Sequence, residues 1–94
     1  MSTKAERRAA REAIASFHEE QLGQLVEHVA GAVDAYRAGE QGAFDVDAVI
    51  FQFSRAAKEL WNFCNLGAFE ITAAQILRGD APRDWWDRGA PRRR

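Results

Sequence analysis

Two apolar stripes at helical spacing, Leu22 to Tyr36 and Val46 to Cys64, are separated by the glycine-bounded stretch Gly39-Glu40-Gln41-Gly42. Helices joined so briefly must fold back on one another, so the centre of the chain reads as an antiparallel helical hairpin. The first helix is expected over about residues 3–38, capped by Ser2 or Thr3 and opening on Ala, Glu and Arg, all good helix formers. Ile14, Phe17, Leu22, Leu25, Val26, Val29, Val33 and Tyr36 fall on one face of it, and Gly39 ends it. Gly23 and Gly31 lie inside this span, each costing about 1 kcal/mol relative to Ala, so a straight helix and a bent one both remain open.

The second helix is expected over 46–64, with Asp45 or Asp47 as its cap. Its stripe is Val46, Val49, Ile50, Phe53, Ala57, Leu60, Trp61 and Cys64. Phe51 and Phe63 fall off the centre of that stripe, which makes it broader than one partner helix can cover. A third helix over 68–78, carrying Phe69, Ala73, Ile76 and Leu77 and stopped by Gly79, supplies some of the missing cover. Beyond it the Trp- and Arg-containing stretch 80–94 shows no period and reads as an irregular tail. The expectation is an all-α protein with one helical domain, 1–79, and a C-terminal tail, 80–94.

Length arithmetic adds a constraint. At about 1.5 Å per residue the first helix is roughly 50 Å long and the second just under 30 Å. The first therefore overhangs its partner. Ile14 and Phe17 lie in the overhang, where the third helix, the tail, a second copy or another protein must cover them.

Composition narrows the class. At 94 residues, 47% hydrophobic and 29% charged, the chain is a single folded domain near the lower size limit for an unaided core. Its single cysteine, Cys64, forms no internal disulfide and sits in an apolar stripe, which suits a buried thiol and a reducing, cytoplasmic setting. No apolar leader or run of about 18 apolar residues occurs, so no membrane segment is expected. The net charge of −1 hides an asymmetry: residues 1–11 and 78–94 are each net +3, and the segment between them is −7.

The chemistry-bearing residues do not assemble into a catalytic pattern. His18 and His28 are ten residues apart, which on a straight helix separates them by about 80° in azimuth, so they do not chelate one ion. The acids occupy capping and solvent positions rather than a shared cleft, and Cys64 has no flanking nucleophile signature. Gly39 and Gly42 lack the preceding strand and the following Lys-Ser/Thr of a phosphate loop. The chain is expected to be no enzyme, with no metal site and no cofactor.

Binding is the remaining class. Trp85 and Trp86 are adjacent, and Trp and Arg are enriched among interface hot spots. Both tryptophans closing the core and one of them meeting a partner are alternatives that stay open. The expected partner-binding residues are Ile14 and Phe17 together with Trp85, Trp86, Arg92, Arg93 and Arg94, the partner being another protein or a second copy of the chain. The alternative is a nucleic-acid-associated regulator using Lys4, Arg7, Arg8 and Arg11, which recur at three- and four-residue steps as one basic helix face. The acidic middle and the lack of a helix-turn-helix with a polar recognition helix weigh against it.

The segments Asp34-Ala35-Tyr36-Arg37-Ala38-Gly39-Glu40, Phe44-Asp45-Val46-Asp47, Arg55-Ala56-Ala57-Lys58-Glu59-Leu60-Trp61-Asn62-Phe63-Cys64 and the tail from Asp84 to Arg94 resemble a group of small actinobacterial helical proteins of unknown function. The resemblance implies a bacterial cytoplasm and brings no catalytic residues. By analogy with other small helical bacterial proteins, it makes the antitoxin or accessory subunit of a regulatory pair the expected role.

Overall fold

The computed structural model describes residues 3–92, which form α1 (Lys4–Arg37), α2 (Ala43–Asn65), α3 (Phe69–Leu77) and a single turn α4 (Trp85–Arg88). No strand occurs among the described residues. The helical hairpin, the short third helix and the tail expected from periodicity are all present.

Local chemistry sets the boundaries. The Thr3 hydroxyl accepts the Glu6 backbone N–H at 3.0 Å, satisfying one of the free donors of the first turn. Gly39 and Gly79 both adopt φ of +78°, and in each case the residue beyond closes the helix by donating backward. Glu40 N–H reaches the Ala35 carbonyl and Asp80 N–H the Gln75 carbonyl, both at 2.9 Å, so α1 and α3 end in the same glycine cap. α2 starts three residues earlier than its stripe suggests. Gly42 is its N-cap, and Asp45 sits within the first turn with its carboxylate accepting the Gly42 N–H at 2.9 Å. A carboxylate there also meets the positive end of the helix dipole.

α1 is one helix of 34 residues, uninterrupted at Gly23 and Gly31. Its length of about 51 Å accounts for most of the molecule's longest dimension, 56 Å, while the shortest is only 17 Å. α2 runs antiparallel to α1, α3 packs against the overhanging part of α1, and α4 packs against α2. The core where they meet contains Ile14, Phe17, Leu25, Ala56, Leu60, Cys64, Ala73, Ala81 and Trp85. Phe63 joins it through tilted ring contacts, with centroids 5.8 Å from Phe17 and 5.4 Å from Trp85.

Two corrections follow. Ile14 and Phe17, expected as partner contacts, are buried in the chain's own core because α3 and the tail fold over the overhang. Ile50 and Trp61, expected to face the core, are about half exposed.

Gly23 and Gly31 are exposed, and a Cβ at either would meet nothing within 4 Å. Gly23→Ala and Gly31→Ala are each expected to raise stability by about 0.5–1 kcal/mol, read as a higher urea midpoint with an unchanged slope.

Candidate functional site

The tail is bound to the hairpin through its backbone. Gln52 Nε2 donates to the Trp86 carbonyl at 2.9 Å and Arg55 Nε to the Gly89 carbonyl at 2.6 Å. Gly89 lies so close to α2 that a Cβ there would stand 2.5 Å from the Gln52 carbonyl oxygen and 2.6 Å from the Ala56 nitrogen. Only glycine fits. Trp85 is 2% exposed, and Trp86 stacks on His28 with centroids 4.0 Å apart and an interplanar angle of 2°. Both tryptophans are thus occupied within the chain, Trp85 in the core and Trp86 over α1. Arg88 pairs with Asp84 at 2.9 Å and covers the Trp85 ring, and Arg83 reaches Glu20 at 3.8 Å. Arg92 is exposed beside Arg55, Lys58 and Glu59. Arg93 and Arg94 lie outside the described residues.

A cavity of about 90 Å³ lies between α1 and the tail, bordered by Gln21, Gln24, His28, Arg83, Trp85 and Trp86. Gln21 Nε2 and Trp85 Nε1 are both buried and have no hydrogen-bond partner among the described residues. An indole N–H can only donate, so a group completing Trp85 must be an acceptor.

At the other end, Lys4, Arg7, Arg8 and Arg11 line one exposed concavity with Glu12. The Arg11 guanidinium lies 4.9 Å from the centroid of Phe69, a cation–π contact that ties this end of α1 to α3. The sequence-predicted basic face is therefore brought together as one surface. No group of three or more His, Cys, Asp or Glu residues among the described residues is placed to hold a metal ion.

The largest unexplained feature is the flank of the hairpin turned away from the tail. On α1, Gln21, Gln24 and His28 face the tail, whereas Leu22, Val26, Val29, Val33 and Tyr36 recur at alternating steps of four and three on the opposite flank. On α2, Gln52, Arg55 and Ala56 face the tail, and Val46, Ile50, Ala57 and Trp61 lie on the flank away from it. In an antiparallel pair these two flanks form one surface. A groove of about 220 Å³ lined by Tyr36, Ala43, Val46, Asp47 and Ile50 marks where they converge. Val26, Tyr36, Ile50 and Trp61 are 47 to 51% exposed here, far more than large apolar side chains in a closed core. Sequence reasoning merged this stripe with the core stripe. The structure separates them: Gln21 and Ala32 are buried, while Val26 and Tyr36 are not.

Among the described residues no helix is long and apolar enough to cross a membrane. No protein-family model, curated protein or solved structure matches the chain.

Burial pushes the Cys64 thiol up from an ordinary 9.0 to about 11. The folded state therefore holds its proton where the unfolded state releases it, and stability present below about pH 9 is expected to fall as pH rises toward 11. Cys64→Ala should flatten that decline in urea titrations across the same range. Gly89→Ala is expected to cost about 1–3 kcal/mol by forcing α4 off α2, with a red shift of tryptophan emission as Trp85 meets water.

Proposed function

We propose that the chain is a non-catalytic protein-binding module whose working surface is the uncovered flank of the α1–α2 hairpin. The observation that carries this is the apolar flank on which Val26, Tyr36, Ile50 and Trp61 are about half exposed, with Val29, Val33 and Val46 partly exposed between them and Leu22 and Ala57 joining it to the core. Large apolar side chains gathered on one flank mark a site where another surface seats. Their alternating steps of four and three match the seam that helices present to one another, so the complementary surface is helical. Trp85, Trp86, Ile14 and Phe17 hold the scaffold together and do not reach the partner. A module of this build suits the antitoxin or accessory subunit of a small bacterial regulatory pair.

A second reading is supported by one observation, the gathering of Lys4, Arg7, Arg8 and Arg11 around a single concavity, which would let the N-terminal end of α1 meet phosphates. The two readings differ in their response to salt. Phosphate-led binding loses affinity steeply with ionic strength, whereas apolar docking does not.

Trp61 is the reporter, since it lies on the flank while Trp85 and Trp86 are occupied elsewhere. An apolar dye such as anilinonaphthalene sulfonate is expected to bind the dilute chain, take energy transfer from Trp61, and lose most of its signal in Ile50→Asp but not in Lys4→Gln. Absence of dye binding in a chain that sedimentation finds monomeric would sink the proposal. Tight binding of duplex DNA that is abolished by Lys4→Gln with Arg8→Gln would favour the second reading.

A further inference from the structure

We infer that the occupant of the uncovered flank is a second copy of this chain, related by a two-fold axis that crosses the hairpin at Val29 on α1 and between Phe53 and Ser54 on α2. This rests on the binding-module proposal above and names its partner.

Surface area is the first support. The chain exposes 6921 Å², whereas a compact monomer of its 10.5 kDa mass exposes only about 5,400 Å². Its radius of gyration is 16.3 Å against about 12.4 Å for a compact domain of this length. The excess, roughly 1,500 Å², exceeds the approximately 800 Å² that each partner contributes to a standard stable interface. A molecule 17 Å thick is too thin to bury both faces of its long hairpin, and stacking two such layers is the direct remedy.

Register is the second support. An isologous interface must be self-complementary about its axis. On α1, Leu22 and Tyr36 lie seven residues either side of Val29, and Val26 and Val33 lie three and four residues either side of it, a match to within one residue. On α2, Val46 pairs with Trp61 and Ile50 with Ala57 across the Phe53–Ser54 bond. The two centres lie at the same level: Tyr36 shares a groove with Val46 and Asp47, and seven residues inward from there reaches Val29 on one helix and Phe53–Ser54 on the other. One axis therefore serves both helices, laying α1 antiparallel to α1 and α2 antiparallel to α2 in a four-helix arrangement.

Charge is the third. Glu19 and Arg37 are exposed, lie on the same side of α1 as the strip, and are separated by about five full turns, so they share an azimuth at opposite ends of it. Within one chain they are about 27 Å apart and do not interact. The two-fold carries Glu19 of each copy toward Arg37 of the other, matching opposite charges at both ends. A partner other than a second copy offers no reason for this symmetry.

Sedimentation equilibrium on the full chain is expected to give twice 10.5 kDa at micromolar concentrations. Val26→Asp and Ile50→Asp should weaken association by about tenfold or more, while Phe51→Ser, off the strip, should leave it unchanged. Glu19→Arg should weaken association at low salt, and the double variant Glu19→Arg with Arg37→Glu should restore it, a rescue that only contact between copies produces. In a Cys64→Ala background, Val29→Cys should form a disulfide with itself on oxidation. Circular dichroism on each variant establishes that it is folded. A monomeric mass at about 200 μM would overturn the inference while leaving the dye-binding result, and hence the binding-module proposal, intact. A dimer in which Val29→Cys fails to cross-link and the charge swap fails to rescue would overturn the register.

Discussion

The burial of Trp85 between the two long helices decides the rest of the structure. Its indole meets Phe63, which in turn meets Phe17, so one aromatic chain joins the tail, α2 and α1. A fully buried aromatic side chain contributes on the order of 3 kcal/mol of transfer free energy, a large share of the stability of any domain this small. That burial is possible only because Gly89 lets the backbone after α4 settle against Gln52 and Ala56, where Gln52 and Arg55 hold it by two carbonyls. Trp85 therefore commits the C-terminal segment to one face of the hairpin. The opposite face is left to something else.

That asymmetry explains the shape. α3 and residues 80–92 together are too short to wrap a hairpin whose first helix is 34 residues long, so they cover only its tail-side face and the overhang. The result is elongated and thin, with Val26, Tyr36, Ile50 and Trp61 about half exposed on one flank. The charged ends are partly consumed in this arrangement. Arg83 reaches Glu20 and Arg55 reaches the Gly89 carbonyl, both between the tail and the acidic middle of the chain, and at the far end of α1 Arg11 lies over the Phe69 ring.

Periodicity and helix-ending glycines make the hairpin readable in the sequence. Gly39 and Gly79 carry the positive φ that their positions after a helix imply, and Cys64 is buried as its stripe indicates. The start of α2 was less legible because Gly42 has no side chain to cap with, and the closing hydrogen bond comes backward from Asp45. Ile14 and Phe17 were misassigned because periodicity says that a side chain is covered without saying by what. The short turn of α4 was invisible for a related reason: four residues show no period, and their helical form comes from packing against α2 rather than from propensity. The candidate surface was the least legible part. A broad apolar face on α1 is one set of residues in sequence, and only the placement of the tail divides it into a buried half, with Ile14, Phe17 and Leu25, and a bare half, with Val26 and Tyr36.

The division has an energetic consequence that links fold to function. A small, thin domain gains less from burial than a compact one of equal length. Anything that binds the bare flank of the folded hairpin, and not the unfolded chain, adds its binding free energy directly to folding. Occupancy and stability are then the same equilibrium seen from two sides. A chain of this size that left the strip from Leu22 to Tyr36 permanently in water would forgo burial that its short length makes scarce. Trp85, by closing one face of the hairpin, determines which face keeps Val26, Tyr36, Ile50 and Trp61 half exposed, and binding there would add its free energy to folding.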